Sequence, residues 1–380
     1  DMMKRFFAFS LLLAMGFGIV AFQCSSTELT SAKLYMQQKQ YDKAKEALQR
    51  EIEKNPKSDE GYYLLGLLHG EEGHIDLMMD AYNKSLGISN KFEKNIKDNR
   101  QYYWASSFNK GVSYFNKAAK TQNSLIGMIV DSVTACLGSP DRTMDSEYAN
   151  FGSTSMYVYE KYGIYIYMKE DKVVAYNLFD NKEQKVTKLP ECTGSDLQYL
   201  NAVSAFSDAI LCEPDSVDSY TNLAFVFVNM NKSERALPAL EKQTELYKKK
   251  LNVTTETGQL SGAQYASLLD SYALQGEILT KLGAATEDKD KKNEYYNKAI
   301  EKMQEAKKYF PDDPSILLHL SNAYIATDRL DIAMDSFNEG VEKDPENKYY
   351  RFNYGSMLLN ANEFEKAAEQ LQKAVDIDPE

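Results

Sequence analysis

The chain has 380 residues, of which 43% are apolar and 26% charged, a folded composition that excludes an intrinsically disordered chain. The formal net charge of −12, with no Lys/Arg-rich stripe to offset it, makes the electrostatic contribution to nucleic-acid binding repulsive and excludes that class of partner. Only 9 prolines are present, which suits long helices.

The first segment reads as an export signal over residues 1–24. Lys4 and Arg5 give a basic start, Phe6 to Phe22 is a largely apolar run of 17 residues, and the polar stretch Ser25-Ser26-Thr27-Glu28 follows. A run this short with a basic start and a polar exit is a signal peptide rather than a stable membrane span. Cys24 at its end resembles the lipidation site of bacterial lipoproteins, in which the cysteine becomes the first mature residue and takes acyl chains. Two or more chains would anchor the protein stably. Val20-Ala21-Phe22-Gln23 lacks the small residue that usually precedes that cysteine, so a plain cleaved signal and an uncleaved anchor stay open as alternatives. The same resemblance implies the outer membrane, facing the periplasm, because Ser25 stands where inner-membrane lipoproteins carry Asp.

From residue 25 onward the pattern is helical and repeating. The repeat has an apolar residue, a small one and an aromatic on its first helix. Small, bulky and small residues follow on the second, and often a terminal Pro. Repeat one ends with Ala44, Leu48 and Pro56. Repeat two, from Asp59, carries Tyr62, Leu65, Gly66 and Tyr82. Helix A of repeat three is expected over Arg100–Lys120, with Gly111 and Tyr114 in register. Its helix B falls at Asp196–Leu211, with Ala202, Phe206, Ala209 and Pro214, so an insertion of about 79 residues sits at the helix–helix turn. Repeat four, from Val217, shows Leu223, Ala224, Phe227, Ala236 and Leu240. In repeat five Ala299 follows Gly276 about 11 residues late, close to three helical turns, so both helices lengthen around Ala285–Lys292. Repeats six and seven are the cleanest: Ala333 and Ala367, like Pro345 and Pro379, are 34 residues apart.

These residues resemble the tetratricopeptide-repeat (TPR) family, over about three quarters of the chain. The resemblance implies an all-α superhelical solenoid of about seven helix–turn–helix units, a protein-interaction scaffold and no enzyme. Small residues let the paired helices approach, bulky ones fill the gaps between units, and Pro ends the second helix. One unit cannot bury its own apolar face, so stability comes from stacking.

Residues 122–195 differ. Val130–Leu137 reads as a short helix ended by Gly138-Ser139-Pro140, and three β-rich runs follow at Ser153–Glu160, Gly163–Lys169 and Lys172–Phe179. The expected fold is a small α+β insertion, one helix with a three-strand antiparallel meander. Gly127-Met128, Val133, Leu137-Gly138-Ser139-Pro140 and a Tyr-x-Tyr strand resemble the SmpA/OmlA domain of small outer-membrane lipoproteins, one of which is an accessory subunit of the β-barrel assembly machinery. The other reading is an unrelated insert that braces the solenoid. Residues 196–380 then hold helix B of repeat three and repeats four to seven.

No catalytic or metal site is legible, and no cofactor or small-molecule substrate is expected. The three histidines, His69, His74 and His319, lack helical metal-ligand spacing, with His69 at a core aromatic position and His74 in a turn. There is no glycine-rich phosphate loop and no Gly-x-Ser-x-Gly elbow. Cys136, Cys192 and Cys212 match no zinc or redox motif. Each reads as a small buried residue, with a Cys136–Cys192 pair as the alternative in an oxidising compartment.

The TPR resemblance implies a groove lined by Tyr63 and Leu67, by Thr221, Phe225 and Asn229, by Leu318 and Asn322, and by Tyr349, Phe352 and Ser356. It carries no Lys/Asn carboxylate clamp, which fits an apolar peptide or helix. The competing reading packs several of these side chains on the next inner helix. The expected function is a lipid-anchored scaffold helping to assemble envelope proteins. The rivals are a structural subunit of a secretion, pilus or motility apparatus, and an enzyme whose catalytic part lies beyond the end. Asp1 before Met2, and an end at Glu380 without a polar capping helix, lead us to expect a fragment with further repeats or a cap.

Overall fold

The computed structural model describes residues 26–121, 126–148, 151–179, 194–253, 262–311 and 313–378. The export signal with Cys24, the proposed Cys192 partner and Pro379 lie outside the described residues. The chain divides into two compact units. One runs up to Ser106 and includes Leu211–Glu213; the other comprises Ser107–Ile210 and Pro214 onward.

The first unit holds the helix pairs α1 (Thr27–Gln37) with α2 (Tyr41–Lys54) and α3 (Asp59–Glu71) with α4 (Ile75–Ile88), and the start of α5 (Glu93–Lys120). Ser26 and Ser58 cap α1 and α3, accepting from the backbone N–H of Leu29 and Gly61. Within each pair the reversal places Lys39 (φ 57°) or Gly73 (φ 78°) in the left-handed region. Small residues set the helix spacing: Ala32, Ala44 and Ala47 are fully buried, and the place of a side chain at Gly66 is taken by the ring of Tyr82. Helix α5 begins at Glu93, seven residues before the expected Arg100. Its first turns are polar except for Ile96, which is buried among Ile75, Met78 and Tyr82, so tertiary packing rather than local periodicity extends the helix. Trp104 packs against this same cluster.

The second unit contains the insertion. Helix α6 (Val130–Leu137) precedes an antiparallel sheet of four strands in the order β1 (Arg142–Tyr148), β2 (Gly152–Tyr159), β3 (Ile164–Lys169) and β4 (Lys172–Leu178). The three-strand expectation is therefore corrected to four. Strand β1 is exposed along most of its length and among the described residues pairs only with β2, as an edge strand, so it needs no apolar alternation to form. Glu170 and Asp171, both left-handed at φ 49° and 59°, make the two-residue β3–β4 turn. Along β3, Ile164, Ile166 and Met168 are buried and the intervening Tyr165 and Tyr167 half-buried.

That buried face belongs to one continuous core with α6 (Val133, Leu137), with α7 (Ser195–Cys212; Leu197, Leu200, Phe206) and with α8 (Val217–Asn229; Ala224, Val226). Polar contacts reinforce it: Lys232 Nζ donates to Tyr176 O and Asn177 Oδ1, both at 2.9 Å, and its ammonium stands over the Tyr176 ring. Burial, helped by Arg235, holds the Lys232 ammonium below its ordinary pKa. The insert thus braces repeats three and four rather than hanging from a loop. Cys136 is disulfide-bonded, with a partner outside the described residues, whereas Cys212 is a buried thiol in no disulfide.

The remaining pairs are α8 with α9 (Ser233–Val253), α10 (Gly262–Ala285) with α11 (Lys289–Lys307), α12 (Pro314–Ala326) with α13 (Leu330–Lys343), and α14 (Lys348–Asn360) with α15 (Phe364–Ile377). First helices also pack on first helices, α10 on α12 and α12 on α14, as stacked repeats require. Repeat five is elongated as expected, with helices of 24 and 19 residues. Asp313 caps α12, accepting from Ser315 and Ile316 N–H, and Pro314 takes the first turn, where its missing N–H costs nothing.

Met303 of α11 and His319 of α12 fill the space beside Gly276 on α10, Met303 Sδ at 2.7 Å and His319 Cβ at 3.0 Å from where a Cβ at residue 276 would be. Burial lowers the His319 pKa, against the smaller upward pull of Glu277 and Asp313, and Lys281 adds to the lowering. The folded state thus binds a proton less readily than the unfolded chain. Stability from this site is complete above the ordinary histidine pKa and declines as pH falls below it. We expect unfolding free energy to drop between pH 7 and 5, and His319→Gln to flatten that slope in urea titrations.

Candidate functional site

The groove positions occupy the first helices. Tyr63 and Leu67 lie on α3, half-buried: Tyr63 stacks on Phe92 at 4.4 Å and 7°, and Leu67 joins the cluster around Met78 and Ile96. These two are used in packing. Leu318 and Asn322 on α12 are half-buried, and Asn322 accepts from Asn360 Nδ2 at 3.3 Å. On α14, Tyr349 and Phe352 are exposed, and Ser356 donates to Phe352 O.

The most developed surface lies at α8, where Thr221, Phe225 and Asn229 fall on one stripe four residues apart. Phe225 is 49% exposed, a large apolar ring left in water. Asn229 Nδ2 donates to Phe225 O. Beside the ring is a cavity of about 530 Å³ between α8, α9 and α10, with apolar walls from Ala224, Leu240, Ala273 and Leu274 and two carboxylates, Asp270 and Glu277. Glu277 also pairs with Lys281 one turn on, at 2.5 Å.

Gln243 of α9 gives this cavity its polar character, and the sequence did not single it out. Thr221 donates its hydroxyl proton to Val217 O at 3.0 Å, so it can only accept from Gln243, whose Nε2 stands 2.8 Å away. That fixes the amide orientation and leaves Oε1 buried and without a hydrogen-bond partner in the cavity wall. Gln243 is 3% exposed, and a buried acceptor of this kind favours a donor that reaches it through the cavity. The wall is rigid: Gln275 Nε2 donates to Thr244 Oγ1 at 2.9 Å, and Thr244 and Ser271 share a hydrogen bond at 3.0 Å, tying α9 to α10. A ligand here would offer an apolar group and an N–H donor.

A second cavity of about 530 Å³ lies where β3 and β4 meet the α8–α9 turn and α10, lined by Tyr165, Tyr167, Lys232, Glu234 and Lys281 among others. Lys232 is already engaged with the sheet. At the α3–α4 turn the structure brings together His69, Glu72 and His74, whose ligand atoms all lie within 4.8 Å of one another. Helical spacing rules missed this group because the three residues straddle a helix end. Among the described residues no helix is long and apolar enough to cross a membrane.

Paired antiparallel helices, stacked through small residues and presenting first-helix stripes, define a helical-repeat scaffold. The tetratricopeptide-repeat model TPR_16 matches residues 29–89 and 319–380, and TPR_8 matches residues 217–250, so the chain carries tetratricopeptide repeats. Such repeats are in general protein-interaction scaffolds that bind other proteins or peptides, typically without enzymatic activity. Residues 119–226 match a domain of unknown function, DUF7738, whose span covers the insert together with α7 and most of α8. Those bounds follow the shared hydrophobic core rather than the ends of the insertion. Similar solved structures include MamA from Desulfovibrio magneticus RS-1 (16% identity over 48% of this chain and 86% of that one, TM-score 0.33). YrrB, described as a TPR protein with an unusual peptide-binding site, is 21% identical over 49% of this chain and 81% of its own, with a TM-score of 0.32. TTC0263, a TPR protein of Thermus thermophilus, is 18% identical over 48% and 84%, with a TM-score of 0.31. No curated protein matches the chain in sequence.

Proposed function

We propose that the chain is a non-enzymatic scaffold of the cell envelope, lipid-anchored through Cys24 and facing the periplasm from the outer membrane. It binds a peptide segment or helix of a partner protein and helps assemble envelope proteins. The observation that carries the binding reading is the half-exposed Phe225 beside a cavity with a buried, unpartnered acceptor at Gln243 Oε1. Such an acceptor costs about 1–3 kcal/mol until a donor reaches it, and an aromatic beside it supplies an apolar anchor. Asp270 extends the preference to a cationic side chain, Glu277 being already paired with Lys281, so the favoured segment is apolar with a Lys or Arg, a refinement of the purely apolar segment expected from the first helices alone. Thr221 and Asn229 flank the anchor, and Leu318, Asn322, Tyr349, Phe352 and Ser356 continue the contact surface. The envelope placement rests on the residues around Cys24 and on the likeness of the insert to SmpA/OmlA domains.

The test is recovery of partners from cross-linked envelopes with the full chain, beside Cys24→Ser and Phe225→Ala with Phe352→Ala. We expect β-barrel assembly components with the wild type, fewer without the anchor, and at least a tenfold loss with the double aromatic variant. Both rings are about half exposed, so the variant keeps its fold. Recovery of a fixed set of secretion or motility subunits, or equal recovery by all variants, overturns the proposal.

A further inference from the structure

We propose that His69, Glu72 and His74 form a binding site for a divalent transition-metal ion of the zinc class at the α3–α4 turn of repeat two. The backbone presents all three donors. His69 sits in the last turn of α3, Glu72 is its C-cap residue, and His74 is the N-cap residue of α4. Gly73 between them takes a left-handed φ of 78°, and the reversal is closed by His74 N–H on His69 O at 2.8 Å and Gly73 N–H on Gly70 O at 3.0 Å. The chain has little freedom here, so the side chains converge by construction.

Glu72 Oε2 lies 3.8 Å from His69 Nδ1 and 3.5 Å from His74 Nδ1. Around a tetrahedral zinc with bonds of about 2.0–2.1 Å, neighbouring ligand atoms are roughly 3.4 Å apart, so small side-chain rotations seat an ion among the three atoms. His69 Nδ1 and Glu72 Oε2 are both buried and neither has a hydrogen-bond partner. A buried carboxylate oxygen and a buried ring nitrogen that stand close without a hydrogen bond between them are a costly arrangement that a cation relieves. The other oxygen, Glu72 Oε1, is held by Lys45 Nζ at 2.7 Å, which orients the carboxylate as an outer partner orients a metal ligand.

Two imidazoles and one carboxylate are a borderline donor set that suits zinc, cobalt or nickel over calcium or magnesium. His74 is 56% exposed at the side chain, which gives the ion a way in and leaves water as a fourth ligand. A bound ion would pin the turn that joins the two helices of repeat two.

The experiment is calorimetric titration of the chelator-stripped full chain with zinc at neutral pH, with cobalt absorption as a second readout. We expect one ion per chain, a visible-band cobalt spectrum with the intensity of a four- or five-coordinate site, and at least a tenfold weaker affinity in both His74→Ala and Glu72→Gln. His74 is exposed, so its variant keeps the fold. No stoichiometric binding, or binding that both variants leave unchanged, overturns the proposal.

Discussion

Phe206→Ala is expected to lower the free energy of unfolding by about 3–5 kcal/mol. Phe206 is fully buried on α7 and stands edge-on to Phe108 of α5, with ring centroids 5.7 Å apart. Its ring occupies the space that a side chain at Gly111 would fill, 2.7 Å from where that Cβ would be. Truncation therefore opens a cavity opposite a glycine, which has nothing to move into it, and the site collapses poorly. The same ring belongs to the core that the insert shares with α7 and α8, so the loss should spread beyond one helix pair. Urea denaturation gives the magnitude, and hydrogen exchange should show β3, β4 and α8 losing protection together. A cost under about 1 kcal/mol would mean that the two halves of repeat three, separated by the insertion, do not form one packed pair.

Gly66→Val is the second large effect, about 3 kcal/mol of destabilisation. A Cβ at residue 66 would stand 2.4 Å and 2.5 Å from two ring carbons of Tyr82 and 3.3 Å from the backbone oxygen of Met78. Tyr82 is fully buried and cannot swing clear, so the α3 and α4 backbones must part. Removing a glycine from a helix interior gains up to about 1 kcal/mol, too little to offset this overlap. Gly87, near the end of α4, separates the two effects: nothing lies within 4 Å of its Cβ position. Gly87→Ala should therefore be neutral or stabilising by up to about 1 kcal/mol, and thermal unfolding of the two variants should move in opposite directions.

The repeat was legible because its physics is local and periodic. Small residues recur wherever two helices must touch, so Gly66, Gly111, Ala333 and Ala367 could be placed by counting. The positions that escaped depend on partners distant in sequence. Strand β1 lacks an apolar face because it is an edge, and the start of α5 exists because Ile96 finds Met78 and Tyr82. The groove stripe was read from the first helices, which located Thr221 and Phe225. Gln243 lies on a second helix, and its unpartnered oxygen follows only from the direction of the Thr221 hydroxyl. Tyr63 and Leu67 have the same pattern as the α8 stripe, yet Phe92, just before α5, and Ile96 of α5 pack against them. Nothing in the 34-residue period distinguishes a stripe that stays open from one that a neighbour covers.

The face of α8 and α10 is proposed to hold a partner protein. The most direct test is a photo-cross-linking amino acid at position 225 in the full chain, in intact cells, beside the same amino acid at the exposed Glu245 position of α9. The account predicts a discrete protein adduct at 225, lost when Gln243→Leu removes the buried acceptor, and none at 245. Equal labelling at both positions, or no adduct at 225, would contradict it.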